Sequence, residues 1–343
     1  MRVASLTDVG KMEVREREQP KPEPDEVVLR VGACGVCATD LHMYHGSYAV
    51  DFPIVLGHES AGTVTEIGDE VSGLEPGDRV AMNPAVPCNN CSYCKRGETN
   101  LCDSATAIGG AGDRIIDGSF AEYVRVPAGN VEQIGDLPFR HAALAEPLGC
   151  CIHAADRSGA GQADSVALIG AGPIGLLMLQ TLRNRGASPI AVSELDPERR
   201  ELAAEMGADI VVDPNDGDPV ETIREEIGEV DVGIEVVGLV PTIQQAYDVT
   251  AKGGNTLIVG VPKQGETMEI NPFDIYYNDL DIRGTFALTQ ETFERAVSLL
   301  RQGRIDVDTI VTEEIGLEDI PRAFERMENN EGLKKVVVPG DGE

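Results

Sequence analysis

Ser165-Val166-Ala167-Leu168-Ile169-Gly170-Ala171-Gly172-Pro173-Ile174-Gly175 joins an apolar strand to the start of a helix through three glycines. A G-x-G-x-x-G run carries meaning only between a strand and a helix, and it has that context here. Gly170 permits the tight turn, Gly172 lets the backbone approach a pyrophosphate, and Gly175 allows helix and strand to pack closely. The helix N-terminus then presents unpaired N–H groups and the positive end of its dipole to an anion. Gly170, Gly172, Pro173, Ile174 and Gly175 are therefore candidate nucleotide contacts. A second strand, Pro189–Ser193, runs into Glu194, 24 residues after Gly170. That is close to the place of an acid that binds adenine-ribose hydroxyls. A carboxylate there repels a 2′-phosphate and favours NAD over NADP. Arg199 and Arg200 follow soon after, and a nearby arginine accommodates that phosphate, so NADP stays open.

Outward from this loop, strand-like runs alternate with helical ones. Asp209–Val212, Val232–Val237, Thr256–Val261 and Ile282–Phe286 have the apolar character of buried strands. Pro197–Met206, Pro219–Ile227 and Pro241–Val249 are helical. That alternation predicts an α/β Rossmann domain, a doubly wound parallel sheet. The chain before about Glu146 differs. Val27–Val31, Gly62–Ile67, Arg79–Met82 and Ala121–Val126 are short strands between turn signals such as Glu75-Pro76-Gly77-Asp78, which predicts a mainly-β domain with loop insertions. One helix, Glu291–Gln302, and a β-rich stretch ending Lys335–Val338 follow the Rossmann pattern. The expected division is a first domain over 1–150, a nucleotide domain over 151–290, and a return to the first over 291–343.

The 343 residues carry 59 acids against 28 bases, a formal charge of −31. The acids are dispersed, and such a surface repels nucleic acid and anionic lipid, which excludes both as partners. No run of about 18 apolar residues occurs to span a membrane, and the N-terminus lacks the apolar core of a signal peptide, so a cytoplasmic protein is expected. Only 7 of the bases are lysine. A dispersed acidic excess with few lysines suggests a halophilic source, where salt screens the self-repulsion.

Eight cysteines in a chain with no secretory signal point to metal or catalysis rather than disulfides. Cys88-x2-Cys91-x2-Cys94-x7-Cys102 supplies four thiolates within 15 residues, the pattern of a closed tetrahedral structural zinc, with an iron–sulfur cluster as the rival. Cys37 is followed 21 residues later by His58, in Gly57-His58-Glu59, and Glu146 precedes Pro147 near the domain junction. One thiolate, one imidazole and one carboxylate leave a coordination position open, as in a catalytic zinc. Cys34 and Cys37 also form C-x-x-C, whose redox reading would call for a thioredoxin-like βαβ unit, missing from this region.

Taken together, GACGVCATDLH (32–42), GHESAGTV (57–64), the four-cysteine loop (88–102), GSFAEYV (118–124), AEPLGCCIHA (145–154) and GAGPIG (170–175) resemble the zinc-containing medium-chain dehydrogenase/reductase family over essentially the whole chain. The resemblance implies a GroES-like catalytic domain beside the Rossmann domain and two Zn²⁺ per chain. Cys37 and His58 match the fixed catalytic zinc ligands. Glu59 matches the GHE glutamate, which is able to coordinate zinc, and Glu146 matches the third protein ligand. Glu at that last position, with NPAVPC before the cysteine loop, looks like the polyol dehydrogenase branch. TDLHMYHG also looks like threonine and arabinitol-type dehydrogenases. Thr39 and His42 match the hydroxyl and imidazole of the family's proton relay, and Cys150 and Cys151 are read as packing residues. Where sorbitol dehydrogenases carry an Arg-Tyr pair, this chain has Phe286-Ala287-Leu288, which argues against sorbitol itself.

The implied activity is zinc-dependent oxidation of a secondary alcohol, a polyol or sugar, to a ketone with hydride transfer to NAD(P)⁺. L-threonine 3-dehydrogenase and an aldose 1-dehydrogenase are the alternatives, and a metal- and nucleotide-binding protein without turnover is the remote one. The resemblance also implies a homo-oligomer, a tetramer favoured over a dimer.

Overall fold

The architecture is that of a computed structural model, which describes residues 1–340. The chain divides into two compact units: Met1–Gly149 with the residues from Leu288 onward, and Cys150–Ala287. The second is thus an insertion in the first.

The first unit opens with β1 (Arg2–Asp8), β2 (Glu26–Gly35), the short helix α1 (Ala38–Tyr44), β3 (Glu59–Ile67), β4 (Arg79–Met82), β5 (Tyr123–Pro127) and β6 (Val131–Gln133). Helix α2 (Ala145–Ser158) was not expected from the sequence, because Pro147 and Gly149 discourage a helix. Pro147 is tolerated because it lies in the first turn, where its missing N–H breaks no intrahelical bond.

The second unit alternates strand and helix: β7 (Val166–Ile169), α3 (Pro173–Arg185), β8 (Ile190–Ser193), α4 (Pro197–Glu205), β9 (Ile210–Val212), α5 (Pro219–Ile227), β10 (Val230–Glu235), α6 (Val240–Asp248), β11 (Thr250–Ile258), α7 (Pro272–Asn278) and β12 (Asp281–Gly284). All six strands are parallel, in the order β9-β8-β7-β10-β11-β12. The order reverses between β7 and β10, the crevice where doubly wound sheets bind ligands. Asp196 and Asp218 cap α4 and α5, each followed by a proline preset for a first helical turn. Ala167, Ile169, Ala191, Val212, Ile223 and Ala246 form the core between sheet and helices.

Back in the first unit, α8 (Gln290–Arg301) precedes β13 (Val311–Ile315) and β14 (Lys334–Val337). The sheet there runs β6-β4-β3-β2-β14-β13, with β5 also pairing β2. Val3, Leu29, Val64, Met82, Phe120 and Phe324 fill the interior of this unit. The GroES-like β-domain and the Rossmann domain are both present as expected, although β10, β11 and β12 each begin and end earlier than the sequence suggests.

Candidate active site

Strands β2 and β3 are antiparallel neighbours, with Gly35 opposite Glu59 and Cys34 opposite Ser60. This register brings the end of one strand beside the start of the other. Cys37, two residues past β2, caps the N-terminus of α1, and His58 directly precedes β3. The ligand atoms of Cys37, His58 and Glu59 consequently lie within 4.8 Å of one another. Glu59 and His58 are 1% and 5% exposed, so any charge there is costly without a partner.

Asp40 supplies part of that partnership from the first turn of α1. It is fully buried. One carboxylate oxygen accepts the N–H of Cys37 at 2.9 Å; the other accepts the N–H of Gly57 at 3.2 Å and stands 3.4 Å from Nδ1 of His58. Burial alone would lower the pKa of His58, but Asp40 and then Cys37 outweigh it and hold the imidazole well above its ordinary range in the metal-free protein. Thiolate, imidazole and carboxylate with ligand atoms this close are a donor set suited to zinc, and Nδ1 of His58 faces the Asp40 carboxylate as a metal-bound imidazole's second nitrogen would. These residues fit a metal ion.

Glu59 is also held by Lys334 on β14, whose Nζ lies 2.6 Å from Oε1 and 2.5 Å from Oε2. Burial alone would lower the Lys334 pKa; the charges of Glu59 and Cys37 raise it above the ordinary lysine range. Glu146, in the first turn of α2, lies outside the 4.8 Å trio, and its charge too reaches Lys334. Thr39 and His42 are half-buried and three residues apart on α1, hence neighbours on one helix face. The His42 ring lies 6.3 Å, centroid to centroid, from that of Tyr48.

The four thiols Cys88, Cys91, Cys94 and Cys102 also lie within 4.8 Å of one another. Backbone amides organise them: Cys88 N–H donates to Cys102 Sγ at 3.2 Å, Cys91 N–H to Cys88 Sγ at 3.3 Å, and Ser104 N–H to Cys102 Sγ at 3.4 Å. Amides of Cys94 and Asp103 pull the Cys91 thiol down to about 6, whereas burial and neighbouring thiols hold Cys94 up at about 12. Such a cage is prepared for a cation that displaces the remaining thiol protons.

In the second unit, Gly170 has φ +109°, a value that a side chain would strain. A Cβ on Gly175 would lie 2.2 Å from the Gly170 carbonyl oxygen. Gly172 caps α3 with no side-chain hydrogen bond, leaving the first helical N–H groups for a phosphate. Glu194 accepts the N–H of Ala171 at 2.7 Å and of Asp196 at 2.9 Å. Arg199 extends to the loop, its Nη1 4.0 Å from where a Cβ of Gly172 would stand. Arg200 instead donates to the carbonyls of Glu194 and Leu195 and pairs with Asp213 at 2.6 Å, so it serves structure.

Two family models match the chain: the alcohol dehydrogenase GroES-like domain over residues 23–136 and the zinc-binding dehydrogenase over residues 173–302. Sorbitol dehydrogenase of Bacillus subtilis (strain 168) is 34% identical over 348 residues, spanning 99% of this chain and 97% of its own. The chain belongs to the zinc-containing medium-chain dehydrogenase/reductase family. L-threonine 3-dehydrogenase of Thermococcus kodakarensis is 34% identical over 96% of this chain and 95% of its own. A crystal structure of a Sinorhizobium meliloti 1021 protein bound to NADP superposes with a TM-score of 0.92 at 38% identity, covering 98% of this chain and 99% of that one. This medium-chain dehydrogenase is an oxidoreductase that pairs a nucleotide cofactor with a small-molecule substrate.

The C-x-x-C redox reading finds no support in this dehydrogenase. Cys34 is fully buried, and burial, with Asp40 and Glu59 adding to it, pushes its thiol well above the ordinary range, which makes a poor nucleophile. Cys151 is buried with Sγ 3.6 Å from the Ile174 carbonyl. Two residues beside the Cys37–His58–Glu59 trio escaped the sequence reading. Asp40 stands third after Cys37, the spacing of a capping box, which the structure forms. Lys334 and Lys335, two of only seven lysines, run into the apolar stretch Val336–Val338, and a lysine pair in a buried strand asks for partners.

Proposed function

We propose that this chain oxidises a secondary alcohol, a polyol or sugar, to the ketone with reduction of a nicotinamide dinucleotide. The buried trio of Cys37, His58 and Glu59 beside Thr39 and His42 carries the proposal. Cys37 and His58 would hold a zinc ion with Glu146 or Glu59 as the carboxylate, and the four cysteines a second ion. Bound zinc would supply Lewis-acid polarisation of the alcohol, and the nicotinamide would accept the hydride. The chain's own part is positional and protolytic. Asp40 fixes the imidazole of His58. The Thr39 hydroxyl takes the alcohol proton, and His42, one helical turn on, passes it toward solvent. A positioned relay of this kind contributes about 10²–10⁴-fold, so His42→Ala should slow turnover and Cys37→Ala should abolish it.

Glu194 at the end of β8 supports NAD as the preferred cofactor, while Arg199 beside Gly172 is the residue that would accommodate a 2′-phosphate. L-threonine is the second substrate reading, favoured by the identity to the threonine dehydrogenase. Self-association finds support in the unpaired edge of β12, preceded by α7 with Phe273 61%, Tyr276 82% and Tyr277 65% exposed. No helix among the described residues is long and apolar enough to cross a membrane.

The test is absorbance at 340 nm with NAD or NADP and a panel of polyols, aldoses, 2,3-butanediol and L-threonine, in molar KCl with zinc. A rise with NAD and one polyol is expected. A rise with NADP alone refutes the role given to Glu194. No rise with any pair at full zinc occupancy, in either reaction direction, refutes the activity.

A further inference from the structure

Glu235 is the last residue of β10 and is fully buried. Its strand borders the place where the sheet order reverses. Oε1 accepts from the N–H of Val237 at 2.7 Å, the N–H of Gly238 at 2.6 Å and the Thr242 hydroxyl at 2.7 Å, while Oε2 has no hydrogen-bond partner. All three partners are uncharged, so hydrogen bonds alone compensate the burial of this carboxylate. They draw the loop after β10 back over the end of its own strand and tie it to the first turn of α6. The main-chain carbonyl of Glu235 accepts from Val259 at 2.8 Å and Gly260 at 3.1 Å, in the loop after β11. One residue therefore holds two neighbouring loops, one by its side chain and one by its backbone.

The loops meet closely. A Cβ on Gly260 would lie 2.1 Å from the Gly238 nitrogen and 2.7 Å from Oε2 of Glu235. Gly238 stands at φ +87°, and a Cβ there would lie 2.7 Å from the Val261 carbonyl oxygen. Val237 in turn presses on the glycine loop: a Cβ on Gly170 would lie 2.7 Å from its Cγ2. Three loops thus converge at the carboxyl ends of β7, β10 and β11. Their apolar side chains nevertheless stay open to solvent, with Val237 46%, Leu239 51% and Val261 65% exposed. Braced backbone beneath exposed apolar side chains, in a crevice, is the make-up of a ligand surface.

We propose that Glu235 is a positioning residue for the nicotinamide half of the dinucleotide. Pyrophosphate at the start of α3 and adenine ribose beside Glu194, on the β8 side, leave the opposite, β10 side for that half. Glu235 holds the loops there in shape before the cofactor arrives, so that little order has to be found at binding. This rests on the reading of Gly170–Gly175 and Glu194 as a dinucleotide site.

The test is calorimetric titration of the full-length protein with NADH and with ADP, which carries the adenosine and two phosphates but lacks the nicotinamide half. Glu235→Ala should weaken NADH on the order of tenfold, the scale at which lost preorganisation acts. It should leave ADP within about twofold, as for sites that share no partner. Glu235→Gln keeps an acceptor oxygen for the three donors and should regain most of the NADH affinity. Glu235→Ala that binds NADH like wild type overturns the proposal. An equal loss of NADH and ADP also overturns it, because it marks a general defect of the unit, and so does a Gln variant as weak as the Ala one. If Glu235→Ala fails to fold, Glu235→Asp decides by the same comparison, since its shorter side chain keeps the charge but draws the acceptor away from the loop amides. A wild type that binds neither NADH nor ADP overturns the dinucleotide reading and this inference with it; a wild type that binds both, with no difference between them in the variants, overturns this inference alone.

Discussion

Replacement of Asp40 by Asn changes one atom and little volume, yet should be among the most damaging single substitutions in the first unit. Asp40 is fully buried, and its two oxygens accept from Cys37 N at 2.9 Å and Gly57 N at 3.2 Å. An amide keeps one acceptor and turns an NH₂ donor on the other backbone N–H. The lost bond to a charged acceptor is worth about 1.5–3 kcal/mol, and a buried donor left unpaired costs about 1–3 kcal/mol more. Together the loss is about 2.5–6 kcal/mol, a large share of the about 5–15 kcal/mol that holds a protein folded. The anion 3.4 Å from Nδ1 of His58 also disappears, so metal affinity at Cys37 and His58 should fall by about 10–100-fold. Urea unfolding of the metal-free protein measures the first effect, and competition for metal with a chromophoric chelator measures the second. An Asn variant within about 0.5 kcal/mol of the parent, with unchanged metal affinity, would refute the role assigned to Asp40.

Gly35→Ala should disrupt the buried Glu59–Lys334 pair, because its Cβ would lie 2.0 Å from Oε2; the expected cost is about 3–5 kcal/mol, read as a fall in Tm against Gly129→Ala, where a Cβ meets nothing within 4 Å. Asp231 accepts from the hydroxyl and the N–H of Ser165 at 2.6 and 2.8 Å, which lowers its pKa from 3.8. A depressed carboxylate contributes stability above its unfolded value and loses it as pH falls through the folded one. Ser165→Ala should therefore lower Tm at pH 7, with a penalty that shrinks below about pH 4; a penalty independent of pH would count against this coupling. With a net charge of −31, Tm should rise between 0.1 and 1 M KCl as the screening length falls from about 10 to about 3 Å; a Tm that stays level or drops argues against a halophilic surface.

The glycine loop was legible because Gly170, with its positive φ, and Gly175, packed against the Gly170 carbonyl, each meet a demand that a side chain would not. The two groups of candidate ligands were legible because thiol spacing within one loop, and a thiol and imidazole flanking paired strands, leave few other uses for those side chains. The start of β11 was not legible. Thr250–Ile258 includes Gly253 and Gly254, residues of low strand propensity, and its pairing with β10 is irregular at Val230 and Val232. Helix α2 was hidden by Pro147 and Gly149, and α7 by its length of seven residues and by aromatics that keep an i, i+3, i+4 spacing but face outward instead of into a core. Asp40 and Lys334 act through partners distant in sequence or supplied by backbone amides, and no local pattern names such a partner.

The Glu59–Lys334 ion pair also sets an order of events at the ribosome. Glu59 and its partner on β14 are separated by 275 residues, and the whole of Cys150–Ala287 is translated between them. Until β14 emerges, Glu59 has no cation from its own chain, and a nascent first unit that closed early would bury a bare carboxylate. The Glu59–Lys334 pair therefore forms only after the inserted unit has been synthesised in full.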